Sequence, residues 1–119
     1  IAGGEAHVLA TLVADTALDA VNPDAFDAIV LPGGMPGAKH LASDRRVLEL
    51  LGAADKKGRI IAAVCAAPIA LEAAGILGGR RATAYPGHPI PSAVYSEARV
   101  VVDRRSRARR RTPSRSTRW

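Results

Sequence analysis

The stretch Arg59-Ile60-Ile61-Ala62-Ala63-Val64-Cys65-Ala66-Ala67-Pro68 decides the fold. Ile60 to Val64 is a continuous apolar run with β-branched residues, the pattern of a central strand buried on both faces. The run stops at Cys65. Ala66 to Ala74 then reads as a helix, with Pro68 tolerated in its first turn because the N–H it lacks has no intrahelical partner there. Gly75 supplies a left-handed exit.

Upstream, Asp27-Ala28-Ile29-Val30-Leu31 is a second strand. It is halted by Pro32-Gly33-Gly34 and again by Pro36-Gly37. Ser43 reads as the N-cap of the next helix, with Asp44 placed near its positive end. That helix runs to about Lys57, with an apolar face of Val47, Leu48, Leu50, Leu51 and Ala54, and Gly58 ends it. Further upstream, residues 8–13 form a short apolar run ending near Asp15, read as a strand, and 15–26 carry loop residues. Downstream, Gly78-Gly79-Arg80-Arg81 turns into a short strand, Ala82–Ala84. Tyr85 to Pro91 is an irregular loop rich in proline, and Val100–Val102 is a last strand. Strands alternating with helices predict an α/β domain, with a largely parallel sheet and helices on both faces.

The chain has 119 residues, enough for one domain. Hydrophobic residues make up 48% and aromatics 3%, so the core must come from Ala, Val, Leu and Ile. A single cysteine excludes an intrachain disulfide framework and any multi-cysteine zinc site. No apolar run approaches the ~18 residues of a membrane span, and no signal-peptide pattern opens the chain, so the expected compartment is the cytoplasm. The net charge of +6 is uneven. Residues 1–102 carry 9 Lys and Arg against 10 Asp and Glu, whereas 103–119 carry 8 Arg and one acid, Asp103. We therefore divide the chain into an α/β domain over 1–103 and an Arg-rich, disordered tail over 104–119. Such a tail would bind nucleic acid through phosphates, with Trp119 its only aromatic for stacking. It contains no Lys, and its Arg, Ser, Thr and Pro are what a shifted frame through GC-rich DNA yields. The frame-shifted reading is preferred to a genuine nucleic-acid arm.

Three features could carry chemistry. Cys65 lies where a buried strand ends and a helix begins, the edge at which α/β proteins place ligands. A helix N-terminus favours the thiolate. A lone cysteine is more commonly a small buried hydrophobe, and placement alone leaves both readings open. Pro32-Gly33-Gly34 also follows a strand; it is either a tight turn or a source of backbone N–H groups for an oxyanion. Among the histidines, His7 and His40 read as surface residues, and His88 sits in a loop able to reach the same edge. Their spacing gives no metal site.

Leu31-Pro32-Gly33-Gly34-Met35-Pro36-Gly37-Ala38 and Ile61-Ala62-Ala63-Val64-Cys65-Ala66-Ala67-Pro68 resemble the two signature segments of the ThiJ/PfpI superfamily, in its Parkinsonism-associated deglycase branch. The resemblance runs from about Ile1 to Asp103. It implies a flavodoxin-like fold and a homodimer. It also implies that Cys65 is a nucleophile at a strained strand-to-helix turn, with the N–H groups of Gly34 and Ala66 as oxyanion donors. Gly33, Tyr85 and His88 would line the pocket, Tyr85 standing where some relatives have a histidine. The family's peptidases have a histidine directly after the cysteine, where this chain has Ala66, so the deglycase branch matches better than an intracellular cysteine peptidase.

The implied activity is a cysteine-dependent, glyoxalase- or deglycase-like hydrolysis of glyoxal-type aldehydes or their adducts, with no metal or cofactor. The family's leading βαβ elements, which carry a glutamic acid partner for the cysteine, have no counterpart here; Glu5 does not match it. Nor do the return hairpin and final helix after Asp103. The resemblance therefore implies an inactive fragment of such an enzyme. The alternative is a redox-sensing stress protein or chaperone in which Cys65 is oxidised rather than turned over.

Overall fold

The structure is a computed structural model and describes residues 12–103. Two 3-10 turns, Leu18–Ala20 and Pro23–Ala25, precede the first strand, β1 (Ala28–Leu31). Helices α1 (Gly37–Ser43) and α2 (Arg45–Lys56) follow, then β2 (Ile60–Ala63) and α3 (Pro68–Ala73). Two short strands, β3 (Arg81–Ala82) and β4 (Val94–Tyr95), complete the described elements.

β1 and β2 pair in parallel, with Ala28 opposite Ile60 and Leu31 opposite Ala63. Parallel pairing needs a crossover, and α1 and α2 supply it. Side chains alternate across the pair, so Ile29, Leu31, Ile61 and Ala63 share one face. That face packs into a core with Val47 and Leu51 of α2 and Ala70 and Leu71 of α3. Leu51, Leu71, Leu77 and Val101 are its largest fully buried side chains. Alanine does much of the remaining packing: Ala38, Ala67 and Ala70 are fully buried. Side chains this small let α1 and α3 approach closely, as the scarcity of aromatics requires.

Four expectations are corrected. β2 is not buried on both faces: on the alternate face Val30 and Ile60 are 64% and 66% exposed. β2 has β1 as its strand neighbour, and the described core lies on one side only, so every second side chain is left open. Ser43 is not an N-cap but the last residue of α1. Asp44 caps α2 instead, its carboxylate accepting the Arg46 N–H at 2.8 Å. A helix needs an acceptor in extended backbone at that point, and Asp44 has ψ 115°.

Val100–Val102 is not a strand; Val94–Tyr95 pairs with β3, in parallel. The β4 segment donates to the Arg80 and Ala82 carbonyls, and the Arg81 N–H, on the other edge of β3, is taken by the Asp103 carboxylate at 2.8 Å instead of by a strand. Finally, Leu12 and Val13, the described end of the expected 8–13 strand, are exposed and in no strand. The rest of that run, and the whole tail from 104 onward, lie outside the described residues.

Arg46 also bridges Asp44 and Asp19, both at 2.8 Å, tying the first 3-10 turn to α2. The Arg46 guanidinium and its backbone N–H hold the Asp44 carboxyl down to about 2. The Lys57 ammonium lowers Asp24 by hydrogen bond and charge.

Candidate functional site

The parallel pair ends where the chemistry was expected. The Val64 N–H still bonds to Leu31 O at 3.2 Å, so the ladder runs one residue past β2. Then the chain reverses. Cys65 has φ 60°, alone among the described non-glycine residues in the left-handed region. That conformation costs an L-residue about 1–2 kcal/mol, because Cβ crowds the following carbonyl. It is held from both sides. Tyr85 N–H donates to Cys65 O at 2.8 Å, and Ala67 N–H donates to Val64 O at 3.0 Å. Pro68 then opens α3 at its first position. The thiol is exposed, which removes the reading of Cys65 as a small buried hydrophobe.

Gly33 is there because nothing larger fits. A Cβ at that position would lie 2.7 Å from Cys65 Cβ and 2.9 Å from Val64 O. Both atoms are fixed, one by the strained turn and the other by the end of the strand. The first signature turn is thus packed directly against the second. Gly34 follows at φ 91°, and its carbonyl accepts the Ala38 N–H at 2.8 Å, starting α1. The N–H groups of Gly34 and Ala66 donate to no carbonyl among the described residues.

Tyr85 and His88 belong to the loop after β3. His88 N–H donates to Tyr85 O at 3.2 Å, and the two rings lie 6.1 Å apart at 46°. His88 is thus gathered to Tyr85, and Tyr85 to the Cys65 backbone. No hydrogen bond joins His88 to the thiol among the described residues. His40 is exposed in the last turn of α1, and His7 lies outside the described residues. Among the described residues no group of three or more His, Cys, Asp or Glu could hold a metal ion.

Tyr95 was not among the expected site residues. It lines, with Tyr85 and His88, an open depression of about 430 Å³. The available signal was its rarity: the chain holds only two tyrosines.

Comparison with known proteins bears on this geometry. A deglycase of Pyrococcus abyssi is 39% identical over 97 residues, covering 78% of this chain and 58% of that protein. The DJ-1 homolog A of Arabidopsis thaliana is 39% identical over 99 residues, covering 79% of this chain and 25% of that one. The crystal structure of DJ-1beta from Drosophila melanogaster superposes with a TM-score of 0.70 at 35% identity, over 76% of this chain and 50% of that chain. The chain therefore spans only part of the length of the relatives it matches. The superposition makes the fold flavodoxin-like α/β, as the two signature segments implied. No described helix is long and apolar enough to cross a membrane. The DJ-1/PfpI family model matches residues 4–112, taking in the glycine turn, the strained cysteine that packs on it and the first residues of the tail, and the chain belongs to that family.

Proposed function

We propose that this chain carries the nucleophile of a DJ-1-like cysteine hydrolase acting on glyoxal-type aldehydes or their adducts with amines and thiols. One observation carries the reading: Cys65 is an exposed non-glycine residue held at φ 60° between β2 and α3. A turn of this kind lifts the side chain out of the sheet edge and toward a ligand. In the reaction we assign, the Cys65 thiolate adds to the aldehyde carbon and the carbonyl oxygen takes the negative charge. The N–H groups of Gly34 and Ala66 donate to that oxygen. The hemithioacetal so formed loses the proton on its carbon while the neighbouring carbonyl carbon of the glyoxal gains one. The first carbon is oxidised as the second is reduced to an alcohol, and a 2-hydroxy thioester results. Water then releases the 2-hydroxy acid and restores the thiol, and an adduct enters the same path by losing its amine or thiol as Cys65 adds. Gly33, Tyr85 and His88 wall the pocket; no metal or cofactor is needed. The parent protein in this reading is a cytoplasmic homodimer. The name of the Pyrococcus relative supports the substrate class.

No described carboxylate bonds to the thiol, so we propose that the 119-residue chain turns over slowly at best. The test therefore does not depend on turnover. Iodoacetamide should label Cys65, and methylglyoxal added first should slow that labelling. Labelling indifferent to methylglyoxal would overturn the reading.

A second reading rests on the exposure of the same thiol, which has no hydrogen-bond partner among the described residues. A redox sensor would oxidise Cys65 to the sulfenic acid under peroxide, trapped by dimedone at Cys65 and absent in Cys65→Ser.

A further inference from the structure

The loop after β3, together with Tyr95 of β4, forms an open depression of about 430 Å³. Its floor is apolar, with Ile90 buried and Ala93 partly buried. Its walls are rings: Tyr85 and Tyr95 are 59% and 50% exposed, and His88 is half-buried between solvent and loop. No Lys, Arg, Asp or Glu lines it. The Tyr95 hydroxyl reaches Ala84 O at 3.4 Å, bringing its ring toward the residue before Tyr85. Hydrogen bonds from His88 N–H to Tyr85 O and from Ala93 N–H to Ile90 O brace the loop at both ends.

Two exposed phenol rings in an aromatic-poor chain, facing one apolar floor without a charged wall, suit a particular ligand chemistry. Flat π-systems stack on ring faces, and no charged side chain lines the depression to pair with an anion. We propose that the Tyr85–His88–Tyr95 depression is a subsite for a flat, uncharged ring. Because Tyr85 N–H is bonded to Cys65 O, the subsite adjoins the cysteine turn. Resting on the reading above, this makes the favoured substrates aldehyde adducts whose amine or thiol half bears such a ring.

The binding test is independent of that chemistry. The ¹⁵N-labelled full chain is titrated with benzamide, with cyclohexanecarboxamide as the non-planar match, and with benzoate as a charged match. Benzamide should move the amide signals of Tyr85, His88 and Tyr95, and the two matches should bind more weakly. Tyr95→Leu should weaken benzamide about tenfold, the scale of one lost ring-stacking contact. Tyr95→Phe, which keeps the ring and drops the Ala84 contact, should bind as the parent does. Equal binding of cyclohexanecarboxamide or of a charged match, unchanged binding in Tyr95→Leu, or loss in Tyr95→Phe as well would each overturn the subsite. Cys65→Ser should bind benzamide normally, so a failed nucleophile and a failed subsite give different results.

Discussion

At Cys65 the chain accepts a backbone conformation that glycine would take without strain. Two substitutions separate strain from side-chain chemistry. Cys65→Gly should be more stable than Cys65→Ala by about 1 kcal/mol in urea denaturation, since only glycine relieves the left-handed φ. The side chain is exposed, so little buried area changes in either variant. At Gly33 the limit is space rather than φ. Gly33→Ala forces its methyl against Cys65 Cβ and Val64 O. We expect a loss of about 1–3 kcal/mol in the same assay, with altered Cys65 labelling by iodoacetamide. Equal stability of the Gly33→Ala variant would mean that the two turns do not pack as described.

Among the elements, α2 shows how a single residue sets a boundary. Asp44 caps the helix and pairs with Arg46, which holds its carboxyl at about 2 against an ordinary 3.8. A depressed carboxyl stabilises the fold above its unfolded value, and that contribution is lost as pH falls from 3.8 through about 2. The lowered Asp24 acts in the same sense. Between about pH 5 and pH 2 the melting temperature of the parent should therefore drop more than that of Asp44→Asn, which keeps a capping oxygen but cannot titrate. Parallel curves for the two would sink this account. Within the core, α3 presents Leu71, fully buried against the sheet face. Leu71→Ala should cost about 2–5 kcal/mol, the usual penalty for a buried cavity.

Across the whole molecule, the described core lies on one face of β1 and β2, and the other face is apolar and open. Val30 and Ile60 stand there exposed. Open apolar faces of this kind drive association. Val30→Thr together with Ile60→Thr should leave the melting temperature nearly unchanged and reduce self-association of the 119-residue chain in sedimentation. A fall in stability instead would show that the face is covered in solution.

The sequence by itself determined the parallel α/β fold and the position of Cys65, because both rest on local signals. An apolar run, a glycine or proline stop and a following helix are each set by neighbours along the chain. The Gly58 and Gly75 exits were legible for the same reason, and both have positive φ. The strand at Val100–Val102 failed because an apolar triplet does not name its partner. In the fold, Asp103 occupies the Arg81 N–H, and Val94–Tyr95 takes the pairing. Burial of β2 failed likewise, since apolar side chains show what could be covered, not what covers it. Only the tertiary structure decided that Gly33 packs on Cys65, and that Tyr95 of β4 lines one depression with Tyr85 and His88 of the preceding loop. Those contacts join residues far apart in the chain, and distance through space is not written in the spacing along it.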